Sequence, residues 1–238
     1  MNEKLIIINH IGTLVVEAVE SELIQMVDYV RAKTDMDVVL SFSSQRAIDK
    51  IERKGYMIPS FEKALSEGVK IYASVIVMPI HLVGGHDYLH LQEIVNQYQD
   101  RVTLLKPLLT SVFDCELLSK ALFGIFKENS GIKILFVGHG TKDKSNNYYN
   151  QLMTEFSKYN SHSKFMSLDD RIFDYDPNDE VHLFPLFTVG GYHLREDLFD
   201  SEDSIKNKLT DQGVHVITYE KGLLGYDEIR DVYLNQVK

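Results

Sequence analysis

The chain has 238 residues, of which 44% are hydrophobic and 25% charged, a composition typical of a globular protein with one or two domains. Its 35 acidic and 25 basic side chains give a net charge of −10, which argues against binding to nucleic acid or to an anionic membrane surface. The one cysteine, Cys115, excludes an intrachain disulfide. Because no apolar run is long enough for a signal peptide or a membrane span, we expect a cytoplasmic protein.

Short apolar segments rich in β-branched residues alternate with segments of helical spacing along the whole chain. The predicted strands are 4–9, 37–42, 73–79, 102–106, 133–137, 163–168, 181–187 and 214–219. Several of them lack polar alternation, as expected for strands that are buried on both faces of a parallel sheet. Helical spacing is clearest in 23–30, 118–125 and 149–156. The alternation predicts right-handed βαβ units in a doubly wound α/β fold.

Two pairs of similar segments indicate that the chain contains two related halves. Residues 7–13 (IINHIGT) resemble 136–141 (FVGHGT), and residues 79–85 (PIHLVGG) resemble 185–191 (PLFTVGG), in the same order. We therefore predict two similar α/β halves with parallel sheets, 1–128 and 129–238, with the last helix able to pack back on the N-terminal half. Because ligands of open α/β sheets bind beyond the carboxyl ends of strands, a cleft between the halves is the expected site.

Two histidines at strand ends are the strongest candidates for metal ligands. His139 follows a very apolar strand and lies between two glycines, which leave its imidazole uncrowded. His193 follows a Gly-Gly pair at the end of another strand of the same half. The two imidazoles could therefore converge on one ion, and neutral imidazole suits Co²⁺, Ni²⁺, Fe²⁺ and Zn²⁺. Alternatively, His139 is a loop residue that caps the next helix, and His193 is an exposed residue at a helix start.

The first half lacks this pair, because Ile11 and Asp87 stand where the two histidines would fall. We therefore expect one metal site per chain. His86 and Asp87 could face that site, or they could simply begin a helix, where aspartate is favoured. Asp169 follows the predicted strand 163–168 and could ligate a metal or accept a proton, although a polar turn is an equal alternative.

These strand-end motifs resemble those of the anaerobic cobalt chelatases, class II tetrapyrrole chelatases that insert Co²⁺ into sirohydrochlorin on the way to cobalamin. The matching segments are, in chain order, 79–88 (PIHLVGGHDY), 136–141 (FVGHGT), 185–197 (PLFTVGGYHLRED) and 221–225 (KGLLG). The resemblance runs along nearly the whole chain and implies a chelatase-like fold. It also implies that His139 and His193 bind the metal and that Asp169 takes the place of a family glutamate.

The chain departs from the family pattern at two motifs. The family's Gly-Glu-Glu-Tyr is replaced by residues 85–88 (GHDY), and its Thr-Ser-Arg by residues 43–45 (SSQ), with Arg46 one place late. These departures keep a metal site plausible but put the preference for the ion and for the tetrapyrrole in doubt.

The resemblance also implies a mechanism and a set of partners. Metal insertion replaces two pyrrole N–H protons by a dication, so His139 and His193 would hold the ion at one face of the macrocycle while an imidazole or Asp169 takes a proton. The divalent ion is a substrate, and we expect no tightly bound cofactor and no nucleotide. The partners are then a tetrapyrrole and a metal ion, with no nucleic acid and no membrane, and a homo-oligomer is left open.

Cationic side chains are needed close to the site to bind the substrate, because sirohydrochlorin carries eight carboxylates. The candidates are Arg46, Lys142 and Arg195, each of which could instead be a solvated surface charge. Other functions also stay open at this point: a tetrapyrrole or metal carrier without turnover, a chelatase for Fe²⁺ or Ni²⁺, and a two-lobed receptor for a small molecule.

Overall fold

The computed structural model describes residues 3–127, 129–140, 147–192 and 194–237. The chain forms two compact units, the first made of Met1–Leu108 with Arg230–Lys238 and the second of Leu109–Ile229. The division therefore falls at residue 108 and not at the residue 128 expected from the sequence. The reason is that the helix at 112–125 packs within the second unit, where the Ser119 hydroxyl donates a hydrogen bond to the carbonyl of Leu152.

The first unit is built on a parallel sheet of four strands in the order β2-β1-β3-β4. Its strands are β1 (Lys4–His10), β2 (Asp37–Phe42), β3 (Ser74–Pro79) and β4 (Val102–Leu104). Its helices are α1 (Val16–Ala18), α2 (Gln25–Lys33), α3 (Gln45–Glu52), α4 (Phe61–Ile71) and α5 (His86–Val95). A π-helical stretch, Val19–Ile24, joins α1 to α2, and a 3₁₀ stretch, Asn96–Arg101, follows α5.

The second unit repeats this plan with the strand order β6-β5-β7-β8. Its strands are β5 (Lys133–Gly138), β6 (Ser163–Ser167), β7 (Glu180–Pro185) and β8 (His215–Thr218). The helices along this part of the chain are α6 (Val112–Ile125), α7 (Asn147–Phe156), α8 (Ile205–Asp211) and α9 (Asp227–Leu234). A π-helical stretch, Leu194–Asp200, and a 3₁₀ turn, Leu223–Gly225, complete the described elements.

The two sheets share one strand order and one register, which confirms the predicted α/β fold and its internal repeat. In each sheet the central strand pairs with a strand that ends at a proline, and the residue after that proline donates its N–H to the central strand over 2.7 Å. The paired residues are Asn9 with Pro79 and Val137 with Pro185, and the donors are Ile80 and Leu186. This register aligns His10 with Gly138 and Ile11 with His139.

The predicted strands are all present, and their ends shift by at most two residues. The shift at β7 has a simple cause: Pro185 has no N–H to continue the ladder, so the strand stops there and not at 187. The central strands are buried on both faces, as their unbroken apolar runs predicted, and β1 is buried from its second residue onward. Each fully buried isoleucine or leucine of this kind stabilises the fold by about 1.5–3 kcal/mol.

None of the helices in the described ranges combines the length and the apolar character that crossing a lipid bilayer requires.

Candidate metal site

Three side chains with candidate roles lie at the carboxyl edge of the second sheet. His139 comes directly after β5, Asp169 follows β6 by two residues, and Phe187 follows β7 by two residues. Because β6, β5 and β7 are neighbours in the sheet and run parallel, their carboxyl ends meet at one edge. The topology therefore places an imidazole, a carboxylate and an aromatic ring on one edge of the sheet.

His139 lies against the ring of Phe187, with a centroid distance of 4.9 Å and an angle of 84° between the ring planes. The imidazole is exposed, whereas Phe187 is only 9% exposed. The backbone of Phe187 is also held, because its carbonyl accepts a hydrogen bond of 2.8 Å from the N–H of Leu223. A well-fixed aromatic ring thus lies against an exposed imidazole, an arrangement suited to a residue that must meet a ligand.

The two aspartates after β6 have different positions. The Asp170 carboxylate accepts a 2.7 Å hydrogen bond from the N–H of Ser167 and so closes the turn. The Asp169 carboxylate is exposed at the same turn. Asp170 thus makes the turn contact, and Asp169 presents an exposed carboxylate on the sheet edge that carries His139. Its role toward a metal or a proton stays a prediction.

Two predicted site residues, His193 and Lys142, lie outside the described residues. The pairing of His139 with His193 therefore stays a prediction. In residues 3–127, 129–140, 147–192 and 194–237, no group of three or more His, Cys, Asp or Glu side chains is placed to hold a metal. Arg195 is exposed in the π-helical stretch Leu194–Asp200.

The first-half candidates occupy helix starts in the first unit. His86 and Asp87 are exposed in the first turn of α5, where the Asp87 carboxylate interacts favourably with the helix N-terminus. Arg46 is exposed in the first turn of α3, next to the N-cap Ser44, whose hydroxyl accepts the N–H of Ala47. The helix start explains Asp87 but not Arg46, because a cation is disfavoured at a helix N-terminus. Roles in metal or substrate binding stay predictions for all three candidates.

Two buried histidines at the carboxyl edge of the first sheet were not singled out from the sequence. His10 ends β1, and its Nδ1 accepts a 3.0 Å hydrogen bond from the N–H of Gly12, which places the proton on Nε2. Burial, together with the nearby His81, lowers the pKa of His10 from 6.5 to about 3. Burial also lowers the pKa of His81, whose ring nitrogens are buried without a hydrogen-bond partner in the described part of the chain.

Both imidazoles are therefore neutral, and the tautomer of His10 has a chemical consequence. With its Nδ1 lone pair engaged by Gly12 and a proton on Nε2, the ring has no nitrogen ready to coordinate a metal. Gly12 itself has φ +120°, and a Cβ there would lie 2.4 Å from the Cβ of Ala47, so only glycine fits this turn. His10 thus gives no support to a metal site at this position.

Phe187→Leu is expected to change the environment and orientation of the His139 imidazole. The NMR signal of the His139 Cε1 proton should shift as the neighbouring ring current is lost, and Co²⁺ affinity should fall about tenfold, as for other groups that orient a metal ligand. Phe156→Leu is a matched control, because Phe156 meets Phe136 with the same centroid distance of 4.9 Å and the same angle of 84°. An equal response of His139 in both variants would contradict the role of Phe187.

Comparison with known proteins identifies the family of this chain. Residues 4–238 match the cobalt chelatase family (CbiK). The fold is similar to that of the sirohydrochlorin chelatase SirB from Bacillus subtilis subspecies spizizenii in complex with cobalt. That likeness has a TM-score of 0.67 at 16% identity and covers 100% of this chain and 94% of the other. SirB from Bacillus subtilis with Fe³⁺ is similar with a TM-score of 0.68 at 13% identity, again over 100% and 94% of the two chains.

A third structure, of CbiX, is described as the terminal enzyme for biosynthesis of siroheme in denitrifying bacteria. It has a TM-score of 0.59 at 11% identity, over 99% of this chain and 97% of the other. At such low identities these likenesses establish the fold, which is two parallel four-stranded sheets with flanking helices. The match over nearly the whole length goes further, and the chain belongs to the cobalt chelatase family.

Proposed function

We propose that the protein is an ATP-independent chelatase that inserts Co²⁺ into sirohydrochlorin, or a closely related tetrapyrrole, in the cytoplasm during cobalamin synthesis. Membership of the cobalt chelatase family supports the reaction class. The observation that carries the proposal is the placement of His139, exposed at the carboxyl edge of β5 and supported by Phe187. An imidazole placed in this way can receive an ion from solvent and release it to a flat ring.

In the proposed mechanism, His139 and His193 hold the incoming ion at one face of the macrocycle. Their coordination has to be weak and incomplete, because the ion must leave for the four ring nitrogens. The ion loses water, the ring bends toward it, and two pyrrole protons depart as two metal–nitrogen bonds form. A neutral imidazole or the Asp169 carboxylate accepts a proton and passes it to solvent. His86 and Asp87 are further proposed contacts of the ion.

The substrate's carboxylates need cations, since the protein as a whole carries a net charge of −10. We propose Arg46, Lys142 and Arg195 for this role. Arginine suits it well, because its planar guanidinium can bind a carboxylate through two parallel hydrogen bonds.

The experiment that tests the function is anaerobic. Purified protein is mixed with sirohydrochlorin and Co²⁺, Ni²⁺ or Fe²⁺, and the absorbance change on metal insertion is followed against a protein-free control. Insertion well above the control rate, fastest with Co²⁺, is expected. Rates equal to the control with every ion would contradict the proposal, and a faster rate with Fe²⁺ or Ni²⁺ would reassign the metal.

A carrier without turnover is the second candidate, and the same assay separates it. A carrier would bind the tetrapyrrole, seen as a spectral shift, while leaving the insertion rate at the control value. The SirB structures, one with cobalt and one with Fe³⁺, favour testing both metals side by side.

A further inference from the structure

A short motif that the proposed function does not use occurs twice in the chain. Residues 106–109 read KPLL and residues 221–224 read KGLL. Each copy follows the last strand of its sheet, β4 in the first unit and β8 in the second. Its recurrence at corresponding places in the two halves makes it part of the internal repeat.

The backbone shows that the two copies are structurally equivalent. In each, the first leucine donates its N–H to the carbonyl of the second residue after a strand-ending proline. The pairs are Leu108 with His81 at 3.0 Å and Leu223 with Phe187 at 2.8 Å. These bonds tie each copy to the carboxyl edge of its own sheet. Lys106 and Lys221 are both exposed at these edges.

The aliphatic stem of Lys221 lies beside Gly225. A Cβ at residue 225 would lie 2.7 Å from the Cβ and 2.9 Å from the Cδ of Lys221, so the stem of the lysine occupies that space. The backbone of the same segment is bonded through Leu223 to Phe187, whose ring contacts His139. Lys221 is thus an exposed cation on the sheet edge that carries the candidate metal ligand.

We propose that Lys221 binds one carboxylate side arm of the tetrapyrrole substrate. The proposal rests on the proposed function, since it takes the substrate to be a macrocycle with carboxylates around its rim. Such a substrate is repelled by a protein of net charge −10, so cations close to the site determine whether it binds. Lys221 supplies such a charge at the carboxyl edge of the second sheet, where ligands of α/β sheets bind.

The test measures binding of uroporphyrin I, a stable macrocycle with eight carboxylates, by fluorescence titration at low and at physiological salt. Lys221→Gln is expected to raise the Kd about three- to tenfold, the range for a partly exposed charge-assisted contact, with a smaller effect at higher salt. Lys221→Arg should restore affinity. Gly225→Ala, which displaces the stem but keeps the charge, should also weaken binding.

Two controls make the result specific. Lys208→Gln removes an exposed lysine from α8 of the same unit and should leave the Kd unchanged. A porphyrin with four cationic N-methylpyridinium groups should not bind more weakly to Lys221→Gln than to the wild type. Equal losses in the Lys208 and Lys221 variants, or a wild-type Kd in Lys221→Gln, would overturn the proposal.

The binding and insertion experiments together show whether the proposed function or the proposed subsite is wrong. If the wild-type protein binds uroporphyrin through Lys221 but inserts no metal, the proposed subsite stands and the proposed chelatase function is wrong. If the protein inserts metal but Lys221→Gln binds uroporphyrin as the wild type does, the chelatase function stands and the proposed subsite is wrong. A wild-type protein that binds neither uroporphyrin nor sirohydrochlorin overturns both.

Discussion

His139→Ala is expected to reduce the rate of metal insertion into sirohydrochlorin by about a hundredfold or more, the usual cost of losing a group that acts on the reacting atoms. The reason is the position of the imidazole: it is exposed at the carboxyl edge of β5 and supported on one side by Phe187. The measurement is the initial rate of the absorbance change under anaerobic conditions with Co²⁺.

A matched control for this variant is His215→Ala. His215 is also an exposed histidine of the second unit, but it begins β8 and so lies at the opposite, amino edge of the sheet. It should keep the wild-type rate. Uroporphyrin binding should survive in His139→Ala, because the macrocycle's carboxylates are held by other groups. Undiminished insertion by His139→Ala would remove this histidine from the reaction.

Acid is expected to destabilise the protein through His10. The folded-state pKa of His10 is lowered to about 3, whereas the unfolded chain takes up a proton near pH 6.5. Between these values the unfolded state binds more protons, so the free energy of unfolding falls as the pH falls from about 6.5 toward 3. At pH 5 the loss from this one residue is about 2 kcal/mol relative to pH 7. His81, whose pKa is also lowered by burial, acts in the same direction.

The measurement is urea unfolding at pH 7 and pH 5 in the wild type and in His10→Asn. The asparagine side-chain oxygen can still accept the Gly12 N–H but does not titrate, so this variant should lose about 2 kcal/mol less than the wild type on acidification. Because the carboxylates titrate in both proteins, their contribution cancels in the comparison. Equal pH dependence in His10→Asn and wild type would refute the assignment.

The strands and the repeat could be predicted from the sequence because they depend on short-range chemistry. A strand buried on both faces needs an unbroken apolar run, and β1 and β5 show one. The strand-ending prolines Pro79 and Pro185 recur for an equally local reason, since proline cannot donate to the ladder. The unit boundary was misplaced because α6 follows the first sheet along the chain but packs against α7. The packing of α6 depends on contacts between surfaces that are distant in the sequence.

Part of the candidate site could be predicted from the sequence. His139 was found because a glycine-flanked histidine at the end of an apolar strand is a local signal. The turn contact of Asp170 is equally local, because its carboxylate accepts the N–H of Ser167, three residues earlier in the chain. His10 was passed over although it ends β1, since burial and a lowered pKa come from neighbours that the chain brings in from elsewhere.

The order of residues alone was enough to establish the α/β class, the eight strands, the duplication and the histidine at the edge of β5, because each leaves a pattern within a few consecutive residues. Folding in three dimensions was needed to reveal the support that Phe187 gives to His139 and the neutral pair His10 and His81. These features arise from contacts between segments far apart in the chain. Packing and desolvation set them, and no short stretch of sequence encodes either.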